Sequence, residues 1–574
     1  MIVGALDVVD RSLVVTFTTV GPYRLRTMTG DSITEPQDVQ ATFCATLVDE
    51  WVALGVTIAV VAPGSRSTPM ALALAASPGI DVQIVHDERS AAFIALGCGL
   101  SGTPALLLCT SGTAAANFFP AVVEAGMSAV PMIVLTADRP EELRGVGAPQ
   151  TIDQVDLYGG HVRWSRDPGV PVNAERSLWR GLAAEAWSHA QTGPVQLNLA
   201  FREPLIGAAG ELPEPEAVPP VVATSVRNDP VPDGFDQQRG VILVGGSSGV
   251  PLEQLEALHV LTAWPIIADP LSGARHLAGV VTTVDALLRH QQFADDHLPA
   301  TVVRVGRPAT SKFLAQWIAR APLVVQVGGP GVIDPEGNVT AFCQLDSLLE
   351  AQPKGSTGTP WLARWMNAER LADLAIINSL EADLDLNEPQ VARTVADSLP
   401  ADATLTVASS MPIRDLEWFG GAASNAHANR GANGIDGVVS TALGRALSGR
   451  TSVVVVGDLA FAHDANALLG LSERSCDLRI IVVDNDGGAI FSFLPQASAL
   501  AEDQFEQLFG TPLGIDVVGL ACAFGLQAVT VKTAADLRQQ LSRPGPWLVR
   551  IPSNRASNVA VHEQLQSAVG HALG

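Results

Sequence analysis

The stretch VVVVGDLAFAHDANALLGLSERSCDLRIIVVDNDGGAIFSFLPQ, residues 453–496, decides the fold of this chain. Two short apolar runs, Val453–Val456 and Ile480–Val483, flank a helical segment, which predicts a βαβ unit of a buried parallel sheet. Polar residues follow each run, so Asp458 and Asn485 are expected at one carboxyl edge, where open α/β sheets bind ligands. Their oxygens and a nearby glycine carbonyl suit a hard cation such as Mg²⁺. Taken singly, the aspartate also fits a helix cap and Asn-Asp-Gly-Gly fits an ordinary turn.

Length and composition indicate a globular chain of several domains. Its 574 residues leave room for about three or four domains. Apolar residues make up 47% and charged residues only 16%, which favours large buried cores over disorder. The net charge of −24 argues against nucleic-acid binding, because that function needs a basic surface. No apolar run reaches the length of a membrane span.

The six cysteines have no CxxC pair and no short spacing between them. Several lie within apolar runs, so reduced and buried thiols are expected rather than disulfides or zinc ligands. This usage predicts a reducing compartment and a cytoplasmic location. The residues are Cys44, Cys98, Cys109, Cys343, Cys476 and Cys522.

Residues 1–34 are predicted to form a poorly ordered N-terminal extension. Residues 1–27 show neither helical periodicity nor the basic start and apolar core of a signal peptide. The first helix start comes at Thr34-Glu-Pro36, where proline stands in the first turn. Met28 is therefore a candidate start of translation.

Residues 35–206 are predicted to form one doubly wound α/β domain, because apolar strands alternate with helices throughout. The first strand leads into PGSRS (63–67), in which Arg66 fits either an anion clamp or a tight turn. The second leads into His-Asp-Glu-Arg, in which Glu88 fits either a helix N-terminus or a catalytic carboxylate. The other strands predicted here are Ala105–Leu108, Met132–Leu135 and Val195–Leu199.

Two further domains are predicted. Residues 207–236 carry six prolines and are expected to be a linker. A middle α/β domain follows at 237–351, and its Gly-Gly-Ser-Ser-Gly loop (245–249) lacks the full Gly-x-Gly-x-x-Gly spacing of a dinucleotide site. Residues 352–380 are expected to form a linker and a helix, and 381–574 the third domain. The predicted fold class is α/β, with three doubly wound parallel-sheet domains.

Seven ordered blocks and the Gly-Asp…Asn pair of the opening stretch resemble the thiamine-diphosphate (ThDP)-dependent carboligases and decarboxylases. Within that superfamily they are similar to the 2-succinyl-5-enolpyruvyl-6-hydroxy-3-cyclohexene-1-carboxylate (SEPHCHC) synthases of menaquinone biosynthesis. By this resemblance the three domains are a pyrimidine-binding, a middle and a diphosphate-binding domain. The blocks are PGSRSTP (63–69), DERSAAF (87–93), TSGTAAAN (110–117), LTADRPEEL (135–143), GAPQTIDQ (147–154), NRGANGIDG (429–437) and NDGGAIFSFLPQ (485–496).

The resemblance implies a set of residues for ThDP and its metal. Mg²⁺, with Mn²⁺ as the alternative cation, is expected between Asp458, Asn485 and the carbonyl of Gly487. Glu88 is expected to contact N1′ of the cofactor's aminopyrimidine and so to promote formation of the ylid. The other expected cofactor contacts are Pro63, Thr113, Asn117, Ser409, Ser410, Ile435, Gly457, Leu459, Ile490 and Phe491, together with Asp458 itself.

The implied reaction decarboxylates 2-oxoglutarate and adds the resulting carbanion equivalent to isochorismate in a 1,4 fashion. Both substrates are polyanionic, which suits the forked hydrogen bonds of arginine, although any one such arginine more often forms a surface ion pair. Gln150 and Arg430 are expected to be catalytic beside Glu88. The expected substrate contacts are Ser65, Arg66, Arg139, Gln150, Lys312, Ser410, Arg414, Arg430, Phe491 and Leu494.

Four positions depart from the pattern of the resembled family. Leu459 replaces the commoner third glycine of the metal motif, and Asp484 stands before Asn485 where asparagine is common. Pro149 and Phe313 stand where Asn and Arg can occur, so each removes a polar contact to substrate. The expected metal ligands are all retained.

In the resembled family the cofactor lies between two subunits, which predicts a homodimer or homotetramer acting on small molecules, with no nucleic-acid or membrane partner. Three alternatives stay open. They are another ThDP-dependent decarboxylase or carboligase (acetolactate-synthase-like), an inactive binding module on the same fold, and a dinucleotide-dependent dehydrogenase. Retention of Glu88, Asp458 and Asn485 argues against the second, and the spacing of the 245–249 loop argues against the third.

Overall fold

Three parallel β-sheets of six strands each organise the chain. The sheets fall in turn within the three predicted α/β blocks, which confirms the predicted fold class. The predicted N-terminal extension lies outside the described residues, as do parts of both predicted linkers. The computed structural model describes residues 35–215, 227–235, 238–307, 309–329, 331–351, 360–383, 385–422 and 426–574.

The first sheet comprises β1 (Ile58–Val61), β2 (Asp81–Ile84), β3 (Ala105–Cys109), β4 (Met132–Asp138), β5 (Ser165–Arg166) and β6 (Pro194–Ala200). Its strand order is β2-β1-β3-β4-β6-β5, so the carboxyl ends of β1, β3 and β4 lie side by side. The polar segments that follow these three strands therefore meet at one edge. The helices of this block are α1 (Pro36–Ala53), α2 (Thr68–Ala76), α3 (Glu88–Gly99), α4 (Thr113–Asn117), α5 (Phe119–Ser128) and α6 (Trp179–Ala190).

The middle sheet comprises β7 (Gly240–Val244), β8 (Ile266–Ala268), β9 (Val280–Val281), β10 (Thr301–Val305), β11 (Leu323–Val327) and β12 (Ala341–Cys343). Its strand order is β12-β11-β10-β7-β8-β9, again all parallel. The helices are α7 (Leu252–Thr262), α8 (Val284–Leu288), α9 (Gln291–Asp296), α10 (Lys312–Ile318) and α11 (Leu345–Glu350).

The third sheet comprises β13 (Thr404–Val407), β14 (Ala426–His427), β15 (Ser452–Gly457), β16 (Leu478–Asp484), β17 (Ala528–Thr530) and β18 (Trp547–Pro552). The two predicted strands of the opening stretch are β15 and β16, which are parallel neighbours in the order β14-β13-β15-β16-β18-β17. The helices are α12 (Pro360–Glu381), α13 (Glu388–Ser398), α14 (Met411–Phe419), α15 (Val438–Leu447), α16 (Asp458–His463), α17 (Gln496–Ala499), α18 (Glu502–Phe505), α19 (Val517–Ala523), α20 (Ala534–Leu541) and α21 (Arg555–Leu573).

The buried strands of the first sheet contribute side chains to two cores, one on each face, because successive side chains of a strand point to opposite faces. Leu106 and Leu108 of β3 belong to the core under α1 and α6, with Trp51 of α1. Leu107 and Cys109 belong to the core under α3. This second core continues into the third domain, where it includes residues of α15 and β16.

The packing of α3 against α15 joins the first and third domains. Glycines allow the two helices to approach closely: a Cβ on Gly97 would lie 2.1 Å from the Thr441 carbonyl oxygen. A Cβ on Gly444 would lie 2.0 Å from the Ile94 carbonyl oxygen. The thiol of Cys98 donates to the Gly444 carbonyl at 3.3 Å. Larger residues at either glycine would force the domains apart.

Helix α12 belongs to a core rather than to a free linker. Its Trp361 and Trp365 are buried with middle-domain residues, and Leu565 and Val569 of α21 belong to the same cluster. The indole nitrogen of Trp361 donates to the Gly240 carbonyl at 2.8 Å. The helix expected after the second linker therefore attaches the middle domain to the C-terminal helix.

No helix in the described part of the chain is long and apolar enough to cross a membrane. The six cysteines are free thiols. Four are buried, as expected, whereas Cys476 is half-buried and Cys522 is exposed.

Replacing Gly97 with alanine is expected to lower the free energy of unfolding by about 2 kcal/mol, because the methyl group would overlap main-chain atoms of α15. Gly181→Ala is the matched control, since Gly181 lies in α6 with open space around its Cβ position. That change should leave stability unchanged or raise it by about 0.5–1 kcal/mol. Urea unfolding followed by circular dichroism measures both. Equal stability of Gly97→Ala and wild type would show that the helix contact relaxes freely.

Candidate active site

Asp458, Asn485 and Gly487 meet at the carboxyl edge of the third sheet. Asp458 follows β15 and Asn485 follows β16, and both side chains are buried, with exposed fractions of 1% and 8%. The Gly487 amide donates to Asp458 Oδ2 at 2.8 Å, and the Leu459 amide donates to Oδ1 at 2.9 Å. The structure thus brings together the three residues that the sequence placed around a cation.

The chemistry of this cluster fits a hard divalent cation. Asn485 Oδ1 is buried and accepts no hydrogen bond, a costly state for a carbonyl oxygen. Burial, with further contributions from Asp484 and Asp486, raises the pKa of Asp458 to about 6. A cation would supply the missing partner of Asn485 and offset the crowded negative charge. Mg²⁺ prefers such oxygen ligands and leaves positions for phosphate oxygens.

The turn that carries Gly487 accepts only glycine. Its φ is 139°, and a Cβ there would lie 2.0 Å from the Gly510 carbonyl oxygen. That same carbonyl accepts a hydrogen bond from the Gly488 amide at 2.8 Å. The segment around Gly510 therefore backs the turn and holds the Gly487 carbonyl in place.

A buried glutamate that the sequence did not single out lies beside Asn485. Asn485 Nδ2 donates to Glu388 Oε1 at 3.0 Å, and Ser553 Oγ donates to the same oxygen at 2.8 Å. Burial, followed by the charge of Asp415, raises the pKa of Glu388 to about 8. Glu388 opens α13, and its contact with Asn485 spans 97 positions of sequence. No local pattern signals such a contact.

Glu88 occupies a different place, at the start of α3. Asp87 caps that helix by accepting from the amides of Arg89 and Ser90, which leaves the Glu88 carboxyl free of the capping role. Glu88 lines an open recess of about 480 Å³ together with Asn117. The thiol of Cys109 lies near Glu88, and its pKa is raised by burial and by the charge of Glu88.

The α3 terminus is docked onto the third domain of the same chain. Asn466 Nδ2 donates to Asp87 Oδ2 at 2.6 Å, and Arg89 Nη2 donates to the His463 carbonyl at 2.6 Å. Among the described residues, no hydrogen bond or ion pair joins Glu88 to Asp458, Asn485 or Gly487. Within the described part of one chain, the candidate acid and the candidate metal ligands are therefore not linked directly.

A cavity of about 720 Å³ lies where the three domains meet, and Arg430 lines it. The first domain contributes Ser128, the middle domain Asp269 and Arg307, and the third domain His427. Arg307 donates to the main-chain carbonyls of Met127 and of Arg430, the latter at 3.5 Å. Arg430 Nη1 lies 3.7 Å from Asp269 Oδ2, which leaves the guanidinium only loosely paired.

Arg414 lies close to Arg430. Burial and the charge of Arg430 together lower the pKa of Arg414. Arg414 Nη1 donates to the carbonyls of Ser409 at 3.2 Å and Ser410 at 2.7 Å. Two neighbouring guanidinium groups form a local basic region, which favours an anionic ligand.

Glu124 of the first domain holds the loop that carries Arg430. Its carboxylate accepts from the Gly431 amide at 2.8 Å and from the Ala432 amide at 2.7 Å. Ser128 Oγ also donates to Glu124, at 2.7 Å. No motif in the sequence signals this contact, which spans 307 positions.

The arginines of the first domain are tied to backbone carbonyls at its carboxyl edge. Arg66 donates to the Phe201 carbonyl at 3.0 Å and pairs with Glu203 at 3.0 Å. Burial and the charge of Arg139 lower the pKa of Arg66, so these two cations are also neighbours. Arg139 Nη2 donates to the Pro149 carbonyl at 3.0 Å.

Gln150 lies in the loop after β4 and is hydrogen-bonded to Ser111, which follows β3. Its φ is 55°, and its Nε2 donates to the Ser111 carbonyl at 3.0 Å. Ser111 Oγ donates back to the Gln150 carbonyl at 2.8 Å. A Cβ on Gly112 would lie 3.0 Å from Gln150 Cγ, so the glycine leaves room for the glutamine.

The remaining predicted contacts occupy loop and helix-terminus positions. Ile435 is 45% exposed in the loop before α15, and Ser409 Oγ donates to the Asn429 carbonyl at 2.8 Å. Phe491 packs against Phe509 at 5.4 Å between ring centroids. Lys312 is exposed at the start of α10. The others are Pro63 and Ser65 after β1, Thr113 in α4, Ser410 before α14, Gly457 ending β15, Leu459 in α16, Ile490 in the helical turn after β16, and Leu494 just beyond it.

Three family models match the chain in the order of its domains. They describe the N-terminal TPP binding domain of thiamine pyrophosphate enzymes at residues 42–157, a middle domain at 222–407, and the C-terminal TPP binding domain at 422–550. Thiamine pyrophosphate is another name for ThDP. The three matches place the chain in the class of thiamine pyrophosphate enzymes.

Curated relatives narrow this class. The 2-succinyl-5-enolpyruvyl-6-hydroxy-3-cyclohexene-1-carboxylate synthase of Thermobifida fusca is 44% identical over 92% of this chain and 98% of the relative. The synthases of Myxococcus xanthus and Chloroflexus aurantiacus are 40% and 39% identical, each over 92% of this chain and over 97% and 96% of their own lengths. The chain belongs to the SEPHCHC synthase family.

A pH-dependent stability is expected from Glu417, a buried residue of α14 that accepts from the amides of Thr310 and Ser311 at 3.2 Å each. Burial, followed by the negative charge of Asp269, raises the pKa of Glu417 to about 8. The folded protein therefore keeps a proton that the unfolded chain releases above about pH 4.5. The stability gained from this bound proton is fully present below about pH 4.5 and is lost as the pH rises to about 8.

Glu417→Gln removes this titration. The melting temperature of the variant minus that of wild type should increase steadily between about pH 5 and pH 8. Calorimetry of both proteins in the same series of buffers measures this difference. Glu185→Gln, at an exposed position of α6, is the control and should run parallel to wild type. If the melting temperature of Glu417→Gln also runs parallel to that of wild type across this pH range, Glu417 is not the source of the pH-dependent stability.

Proposed function

We propose that this chain is a transferase that decarboxylates 2-oxoglutarate and joins the remaining four-carbon unit to isochorismate, using ThDP and Mg²⁺. The products are SEPHCHC and CO₂, a step of menaquinone biosynthesis. The carbon–carbon bond to one carboxylate of 2-oxoglutarate breaks, and a new carbon–carbon bond to isochorismate forms. No external oxidant or reductant is needed. The observation that carries the proposal is the buried Asn485 Oδ1, which has no partner beside Asp458. The activity for which the relatives are named supports the choice of product.

The chain's own residues would hold the cofactor in two places. ThDP, when bound, would supply a carbon nucleophile for the oxoacid and an electron sink for loss of CO₂. Asp458, Asn485 and the Gly487 carbonyl would bind Mg²⁺, with Mn²⁺ as the alternative. Glu88 would hold a proton at its carboxyl oxygen beside the aminopyrimidine. The half-exposed Ile435 offers an apolar surface for the cofactor.

Cationic side chains would bind the substrate carboxylates. Arg430 and Arg414 form a local basic region in a chain whose net charge is −24, and whose average field repels anions. Arg66 and Arg139 form a second pair at the edge of the first domain. The exposed Lys312 lies on the middle domain. Gln150, locked against Ser111, would orient a reacting oxygen.

The complete site would form between two subunits. A single cofactor would contact both Glu88 and the metal ligands, which no hydrogen bond or ion pair links within the described part of one chain. A homodimer, or a homotetramer built as a dimer of dimers, satisfies this if the Glu88 cluster of one subunit faces the Asp458 cluster of the other. Each dimer would then contain two sites.

Glu88→Gln is expected to lower turnover by at least about 100-fold, because the amide cannot exchange a proton. The assay follows the loss of isochorismate and the release of CO₂ with ThDP, Mg²⁺ and 2-oxoglutarate. Glu185→Gln is the control and should match wild type. Release of CO₂ without loss of isochorismate would show that the acceptor is wrong. Full activity of Glu88→Gln would remove the catalytic role of this residue.

Mixing two inactive variants tests the shared site. Glu88→Gln and Asp458→Asn are each expected to be inactive alone. In a mixed dimer, one site receives the intact Glu88 of one subunit and the intact Asp458 of the other. A co-expressed 1:1 mixture should therefore regain about a quarter of wild-type activity, since about half of the dimers are mixed. No recovery, with mixed dimers shown by mass spectrometry, would place the whole site within one chain.

A further inference from the structure

Glu388 joins three elements under the candidate metal site. It is the first residue of α13, and its side chain is 4% exposed. Its Oε1 accepts from Asn485 Nδ2 at 3.0 Å and from Ser553 Oγ at 2.8 Å. Ser553 follows β18, and its amide donates to the Asp484 carbonyl at 2.8 Å, one residue before Asn485. The carboxyl group thus contacts the ends of both β16 and β18.

This contact determines which end of the Asn485 amide faces the cluster with Asp458. An asparagine amide has one donor end and one acceptor end, and only the oxygen binds a cation. The donor end is engaged by Glu388, while Oδ1 is buried without a partner. While the Glu388 carboxyl is ionised, rotating the amide by half a turn would place its oxygen against the carboxylate oxygens, with no donor between them. Glu388 therefore selects the orientation that offers the oxygen.

Stability alone does not explain a glutamate at this position. Burying a carboxyl group costs free energy, and an apolar residue of similar volume would cost less. Two hydrogen bonds repay only part of that cost. In metal sites, groups that orient the ligands commonly accept from the ligand's free N–H in this way.

We propose that Glu388 is a positioning residue of the metal site, which fixes the Asn485 amide with Oδ1 directed to the cation. The inference rests on the proposed function, because it requires Asn485 to be a metal ligand. Glu388 itself does not touch the cation, the cofactor or the substrate in this role. Its effect is exerted entirely through Asn485.

The test measures the affinity for Mg²⁺ by isothermal titration calorimetry of the full chain at a fixed, saturating concentration of ThDP. Glu388→Met removes the acceptor at similar volume and should weaken Mg²⁺ binding by about 10–100-fold. Glu388→Gln keeps an acceptor oxygen and should stay within about threefold of wild type. Ser553→Ala is the matched control, since it removes the other hydrogen bond to the same oxygen, and it should also bind nearly as wild type.

A role in folding predicts a different result. The melting temperature of the metal-free Glu388→Met protein should stay close to that of wild type, because removing a buried carboxyl offsets the cost of leaving its two donors without an acceptor. If that variant cannot be recovered, Glu388→Asp withdraws the acceptor by one methylene and should weaken Mg²⁺ binding in the same direction. Wild-type affinity in Glu388→Met, or in Glu388→Asp when it serves as the substitute, overturns the inference. Equal weakening in Glu388→Gln and Glu388→Met also overturns it, because a charge effect would then suffice.

Asn485→Ala separates this inference from the proposed function. It should abolish most Mg²⁺ affinity, and adding Glu388→Met to it should cause no further loss, because the two act through one contact. Unchanged affinity in Asn485→Ala would show that the proposed metal site is wrong. Weak binding in Asn485→Ala with normal binding in Glu388→Met would leave the metal site standing and reject the role of Glu388.

Discussion

The hydrogen bond from the Gly487 amide to the Asp458 carboxylate is the interaction on which the candidate site depends. It closes the turn after β16 onto the end of β15, so that two neighbouring parallel strands share one polar pocket. The amide of residue 487 is thereby engaged, while its carbonyl accepts from the Ala489 amide at 3.0 Å and keeps a second lone pair. The positive φ of Gly487 and the Gly510 oxygen at its Cβ position leave no alternative residue. The unpartnered oxygen of Asn485 completes a group of oxygens that a divalent cation satisfies.

Contacts between domains determine the surroundings of that pocket. Glycines at the crossing of α3 and α15 fix how the first domain sits on the third, and so where Glu88 lies. Glu124 clamps the backbone beside Arg430, and Arg307 reaches it from the middle domain. These contacts hold Arg307 and Arg430 where the three domains meet, beside the carboxylates of Glu124 and Asp269. Substrate binding would therefore depend on domain docking as much as on the arginines themselves.

Much of the fold could be predicted from the sequence, because apolar runs and their glycine-rich ends are local features. The predicted strands around Val453 and Ile480 are β15 and β16, and the helix predicted to begin near Pro36 is α1. The helix after the second linker was expected, but its place in the middle-domain core was not. Glu388 and Glu124 were missed altogether. Glu388 contacts a residue 97 positions away, and Glu124 contacts one 307 positions away. Nothing in the sequence around either glutamate indicates its partner.

The sequence by itself determined the fold class, the strands that carry the candidate ligands and the carboxyl edge on which they lie. The physical reason is that strand periodicity, buried apolar runs and turn residues are encoded within short segments. Only the tertiary structure decided that the Asn485 side-chain oxygen is buried without a partner and that its amide nitrogen donates to Glu388. These features depend on sheet order and on how whole domains dock, and such packing is set by contacts that no short segment contains.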